Sequence, residues 1–181
     1  MKKEWVQKGG TPHMIRRAQG KDLPRVMEIT TQAIETMRQE GVRQWNQKYP
    51  AREVFVQDLA AGNLYVSEDA GVNGMFALDR NAALPYAWVD WSAESFAVVH
   101  RFAVARGARG SGVGEAMLCG AEALARRMGC ESLRSDTIEQ NLHMRRLFVR
   151  CGFSHVGDIA YPGYAGRFFC YEALLCGGAV K

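Results

Sequence analysis

The chain has 181 residues, 48% of them hydrophobic and 23% charged, with a formal net charge of +4. This is the composition of a single globular domain able to bury its own core, and it excludes a wholly disordered, collagen-like or coiled-coil chain. No apolar run approaches the roughly 20 residues of a membrane span, and the N-terminus MKKEWVQKGG lacks the apolar stretch of a signal peptide; a soluble cytoplasmic protein is expected.

Residues 1–13 are polar and Gly-rich and read as a tag or disordered N-terminal extension, leaving 14–181 as the one domain. Met14–Ala18 reads as a short strand. Asp22 and Pro24 then open a helix in which Val26, Ile29, Ala33 and Met37 recur at helical spacing until Gly41. Gly41–Pro50 is a loop, Ala51–Ala61 a second helix, and Leu64–Glu68 and Met75–Leu78 two strands joined by a turn. An aromatic loop, 81–91, precedes a strand over Phe96–Val104. After the Gly/Arg segment 106–112, Val113, Ala116, Met117, Ala121, Leu124 and Met128 line one helix face. A strand Ser132–Asp136, a helix Leu142–Arg150 and strands Phe153–Asp158 and Phe168–Leu175 complete the chain. Strand and helix alternate in the middle while both ends look antiparallel, so a mixed α/β (α+β) sheet flanked by helices is expected.

Lys and Arg are spread along the chain instead of being gathered on one face with aromatics between them, so no nucleic-acid partner is expected. The cysteines (119, 130, 151, 170 and 176) are odd in number and contain no C-x-x-C pair, which favours reduced thiols over a disulfide framework or zinc site. The four histidines lack metal-ligand spacing, and no metal is expected.

The informative segment is Val104–Gly114, V-A-R-G-A-R-G-S-G-V-G, set between a strand and an amphipathic helix. Glycines remove Cβ atoms, so several backbone N–H groups can converge on one anion in front of a helix N-terminus. This is a phosphate or pyrophosphate cradle. A nucleoside triphosphate loop fails, because no Lys-Ser or Lys-Thr follows the glycines. A dinucleotide loop matches in part, with Asp136 about where a ribose-binding acid would sit, and keeps an NAD-dependent oxidoreductase as an alternative.

Arg109-x-x-Gly112-x-Gly114, followed by Asn141 and by Gly152-Phe153, resembles the signature of the GCN5-related N-acetyltransferase (GNAT) family. The resemblance covers roughly residues 14–176. It implies a mostly antiparallel sheet of six to seven strands in which one parallel pair splays apart to form an acetyl-CoA cleft. Phe102, Ala103 and Val104 would offer backbone contacts to the pantetheine arm, and Arg109, Gly110, Ser111, Gly112, Val113 and Gly114 would hold the pyrophosphate. Asn141 and Phe148 would flank the arm from the second helix. The activity implied is direct transfer of acetyl to a primary amine of a small molecule or peptide.

The family's usual acid is a tyrosine seven residues after the Asn, and here that position is Phe148. Tyr161, Tyr164 or Cys151 stand as substitutes. For the base, His100 and Glu94 are candidates, with Asp90 able to act through water. Trp45, Tyr49, Trp88, Asp90 and Trp91 are candidates for the acceptor pocket, since aromatic rings with carboxylates suit a cationic amine; rim packing is the alternative. The missing tyrosine also leaves open a non-catalytic acyl-CoA-binding sensor or interaction module, and the last strand offers an edge for a homodimer.

Overall fold

The computed structural model describes residues 4–6 and 13–175. Their elements, in chain order, are β1 (Glu4–Val6), β2 (His13–Arg17), α1 (Leu23–Gln39), α2 (Arg52–Ala60), β3 (Leu64–Glu68), β4 (Val72–Asp79), β5 (Phe96–Val104), α3 (Val113–Arg127), β6 (Ser132–Ile138), α4 (Leu142–Arg150), β7 (Ser154–Ile159) and β8 (Phe168–Leu174). Of the N-terminal extension set aside in the sequence, residues 1–3 and 7–12 lie outside the described residues. Glu4–Val6 pairs antiparallel with His13–Ile15, so the first strand of the domain begins at His13.

The sheet order is β1-β2-β3-β4-β5-β6-β8-β7, antiparallel everywhere except at the β5–β6 pair. The seven strands from β2 onward form the mixed sheet expected, and β1 adds an eighth at its edge. The two faces bury different helices. On one, Val26, Ile29 and Ala33 of α1 and Phe55 of α2 pack on Val66, Met75 and Ala103. On the other, Met117, Leu118 and Ala121 of α3 and Phe148 of α4 pack on Phe76, Leu78, Val99 and Leu133. Most periodic positions read from sequence are buried, each large side chain contributing about 1.5–3 kcal/mol, but Met37 and Leu124 are half-buried and Met128, just past α3, is exposed. Helix α3 lies close on the sheet: a Cβ at Gly120 would stand 2.7 Å from the Ile15 side chain.

At the start of α1, Asp22 does not cap the helix with its side chain. Its carboxylate accepts from the Arg16 guanidinium at 2.7 and 3.0 Å and from the Gln19 N–H at 2.8 Å, while Arg16 Nε donates to Glu68 at 2.6 Å. One arginine therefore ties β2, β3 and the helix entry together. The hydrogen bond from Arg16 is the main reason both carboxyls titrate below their ordinary values of 3.8 and 4.5. A carboxyl depressed in the folded state binds protons more weakly than in the unfolded chain. Its contribution is whole above those values and is lost as pH falls below them. Arg16→Met should cost about 3 kcal/mol in urea unfolding at pH 7, because two carboxylates lose their buried partner. The difference from wild type should shrink as pH drops below 4.

Candidate active site

Strands β5 and β6 pair in parallel only at Phe96–Ser132, Ala97–Leu133 and Val98–Arg134. One step further the ladder is replaced by a side chain, the Ser135 hydroxyl donating to the Val99 carbonyl at 3.0 Å. Beyond it the strands diverge. The closed end is clamped by Arg134, which donates to Glu172 at 3.2 Å and to the Ala93 carbonyl, with its guanidinium 4.4 Å from the Trp91 ring centre and 4.0 Å from that of Phe96.

The opening end of β5 carries a bulge against β4. Ala77 faces His100 and Met75 faces Ala103, so Arg101 and Phe102 together oppose the single residue Phe76. Arg101 takes up the extra length at φ 50°, which is uncommon for a residue with a Cβ. Its guanidinium makes a two-pronged bond to Asp58 of α2, at 2.6 and 2.7 Å. The bulge reverses which residues face which helices. Ala97 and Val99 pack in the α3–α4 core before it, whereas Phe102 and Val104 do so after it.

Between the diverging strands lies a cavity of about 270 Å³. Val99, His100, Arg101 and Phe102 of β5 line one wall, and Ser135, Asp136 and Thr137 of β6 the other. Asn141, Met144 and Phe148 of α4 close one side; Gln44, Trp45 and Tyr49 from the α1–α2 loop close another, with Tyr86, Tyr161, Tyr164 and Phe168 completing the walls. His100 Nε2 stands 3.3 Å from Asp79 Oδ1. Burial pulls the Asp79 carboxyl up, but the bonds from His100 and the Asn81 N–H outweigh it and hold its pKa below the usual value. Tyr161 donates to Asp136 at 2.5 Å. Burial raises both of their pKa values above the ordinary ones.

The glycine loop leads out of β5 as a short turn, 106–108, and enters α3 at Gly112. Gly110 and Gly112 have φ of 79° and 88°, and nothing lies within 4 Å of where a Cβ would stand at either. Gly112 is the N-cap and provides no side-chain cap, so the first N–H groups of α3 have no partner from it. Ser111 turns its hydroxyl back to the Ala108 carbonyl at 2.8 Å. Arg109 is tethered to Thr36 of α1 at 2.9 Å and to the Val104 carbonyl at 3.3 Å. An open, Cβ-free loop in front of an uncapped helix end fits a pyrophosphate.

Of the residues singled out in the sequence, His100, Phe102, Asn141, Phe148, Tyr161, Tyr164, Asp136, Trp45 and Tyr49 meet at the cavity. Glu94, Trp88, Asp90 and Trp91 are not brought to it. Glu94 and Asp90 are exposed, and Trp88 is 88% exposed on the turn 84–88. Trp91 donates its indole N–H to the Tyr86 carbonyl at 2.8 Å and covers Arg134, which makes it part of the clamp. Gln44 was not singled out in the sequence, and Asp136 was given a different role there. Gln44 Oε1 accepts from Thr137 Oγ, the Ile138 N–H and Asn141 Nδ2 at 2.9–3.3 Å, stitching the α1–α2 loop to β6 and α4. Asp136, read in the sequence as a ribose-binding acid, lies on the wall between the strands. Nothing local in the sequence marks Gln44, whereas the polar run Ser135-Asp136-Thr137 on an otherwise buried strand was a usable signal.

The Acetyltransferase (GNAT) family profile matches residues 31–153, more than half of the chain, and the protein belongs to that family. Its cofactor is acetyl-CoA, as the sequence resemblance implied. The fold is similar to that of a GNAT-family acetyltransferase from Streptococcus agalactiae (22% identity, TM-score 0.80, covering 91% of this chain and 96% of that one). It is also similar to one from Listeria monocytogenes (21%, TM-score 0.73, 94% and 99%). A third likeness is to yncA of Salmonella typhimurium, solved with its cofactor acetyl-CoA (18%, TM-score 0.68, 94% and 98%). No curated protein matches the chain. The nicotinamide alternative falls with the topology, since one parallel pair in an antiparallel sheet is not a dinucleotide-binding fold.

Gly112→Ala forces a Cβ into the left-handed region, a strain of about 1–2 kcal/mol, at the mouth of the loop. It should abolish the stabilisation that acetyl-CoA gives in thermal unfolding. A wild-type ligand shift in the variant would contradict the cradle.

Proposed function

We propose that the protein is an N-acetyltransferase that moves the acetyl group of acetyl-CoA directly to a primary amine within a ternary complex. The observation that carries this reading is the shape of the β5–β6 divergence, which opens on the uncapped α3 end and holds ionisable groups at its base. The cofactor supplies an acyl group on a thiolate leaving group. Gly110–Gly114 and Arg109 would hold its pyrophosphate, the Phe102–Val104 backbone its extended arm, and Asn141 and Phe148 would confine that arm from α4.

His100 is the proton acceptor in this reading. Asp79 accepts from one ring nitrogen, which fixes the imidazole and leaves the other nitrogen for the amine proton. Glu94, exposed and outside the cavity, has no part in it. Tyr161 stands in the cavity as an intact phenol, its hydroxyl donating to Asp136, and is the candidate acid of this reading, with Tyr164 on the same wall. A binder without turnover is favoured by one observation, the fully buried Phe148 at the usual tyrosine position, stacked on Tyr171 at 4.9 Å.

Thiol release from acetyl-CoA over a panel of primary amines separates the two. His100→Gln should lower kcat by about 10²–10⁴-fold, the usual worth of a positioned base, while leaving the acetyl-CoA thermal shift intact. A clear acetyl-CoA shift with no thiol release for any amine would establish the binder instead.

A further inference from the structure

One carboxyl of the cavity has no task in the reaction as described. Asp136 is half-buried on β6, lines the cavity, and accepts from Tyr161 Oη at 2.5 Å. That partner is neutral. Among the described residues no lysine or arginine pairs with Asp136, and the one guanidinium in the cavity wall, Arg101, is already neutralised by its two bonds to Asp58. The groups that face Asp136 electrostatically are His100 from β5, Tyr86 from the 84–88 turn, Tyr161 and Tyr164 from the β7–β8 connection, and Cys170 from β8. Burial pushes the Cys170 thiol up to about 12, so it stays uncharged. The surroundings are otherwise aromatic: Tyr161 and Tyr164 meet Phe168 edge-on at 4.8 and 5.2 Å, and Trp45 lines the same cavity.

A carboxylate out of water without a cationic partner is unstable, and ring faces around it attract positive charge. Both effects favour an incoming cation and disfavour an anion. A cavity of about 270 Å³, shared with the acetyl-CoA arm, leaves the acceptor room for a short chain. We propose that Asp136, held in orientation by Tyr161, is the recognition carboxylate of the acceptor, and that the cavity selects a compact aliphatic primary ammonium over neutral or carboxylate-bearing molecules of the same size. This names the substrate class of the transferase reading and rests on it only for what happens to the amine after binding. Burial holds the Asp136 carboxyl above its usual range, and a bound ammonium favours its ionised form. Amine affinity therefore rises with pH.

The test measures binding of n-butylammonium, n-butanol and butyrate by saturation-transfer NMR, with the acetyl-CoA thermal shift recorded on the same samples. Wild type should bind butylammonium at least ~10-fold more tightly than either isostere at pH 7.5, and the preference should weaken toward pH 5. Asp136→Asn, isosteric and still able to accept from Tyr161, should level the three probes and shrink the pH slope. Tyr161→Phe should narrow the preference without reversing it. An equal or undetectable response to all three probes in wild type, tighter butyrate binding, or an undiminished preference in Asp136→Asn would each overturn the proposal. An ammonium preference without any acetyl-CoA shift would uphold the proposal and sink the transferase reading.

Discussion

The parallel ladder between β5 and β6 runs for three residue pairs and then stops, and the rest of the site follows from where it stops. Two strands that part in the middle of a sheet leave backbone groups unpaired, which a folded chain tolerates only when something else takes the bonds or water reaches them. Here the Arg134 clamp, with Glu172, Trp91 and Phe96, holds the closed end together. Ser135 caps the last pair with its hydroxyl. The bulge at Arg101 then swings β5 away and presents Phe102 and Val104 to α3 and α4. Closed end, wedge and bulge together make a cleft that is part of the backbone plan.

Charge is placed accordingly. The Arg16, Arg101 and Arg134 guanidinium groups are each consumed by carboxylates; Arg101 and Arg134 brace the strands that flank the cleft, and Arg16 ties the far edge of the sheet to α1. Asp136 has no lysine or arginine partner among the described residues, and Gly112 gives the N–H groups at the start of α3 no side-chain cap. A molecule with an anionic handle and an electrophilic end, meeting a cationic acceptor, complements both.

Much of this was legible in the sequence. Strands Leu64–Glu68 and Phe96–Val104 and helix Leu142–Arg150 were read with the bounds they have, because alternation and helical spacing are one-dimensional patterns that burial imposes directly. The glycine loop was legible for a different reason: positive φ leaves glycine in the sequence at fixed intervals. The acceptor side was half-read. Trp45 and Tyr49 reach the cavity, but Trp91 has the same composition signal and is spent on stacking over a buried arginine that lies 43 residues away on another strand. Gln44 and Asp136 acquire their roles only through partners distant in the chain, Asn141 and Tyr161. The bulge at Arg101 was invisible, since nothing in H-R-F-A-V announces an extra residue.

If acetyl-CoA occupies the opening between β5 and β6 and replaces their missing ladder, amide hydrogen exchange should slow on its addition at Phe102–Val104 and at Gly110–Gly114, with the β2–β3 edge unchanged. Slowing confined to other segments, or none in β5 at saturating acetyl-CoA, would contradict it.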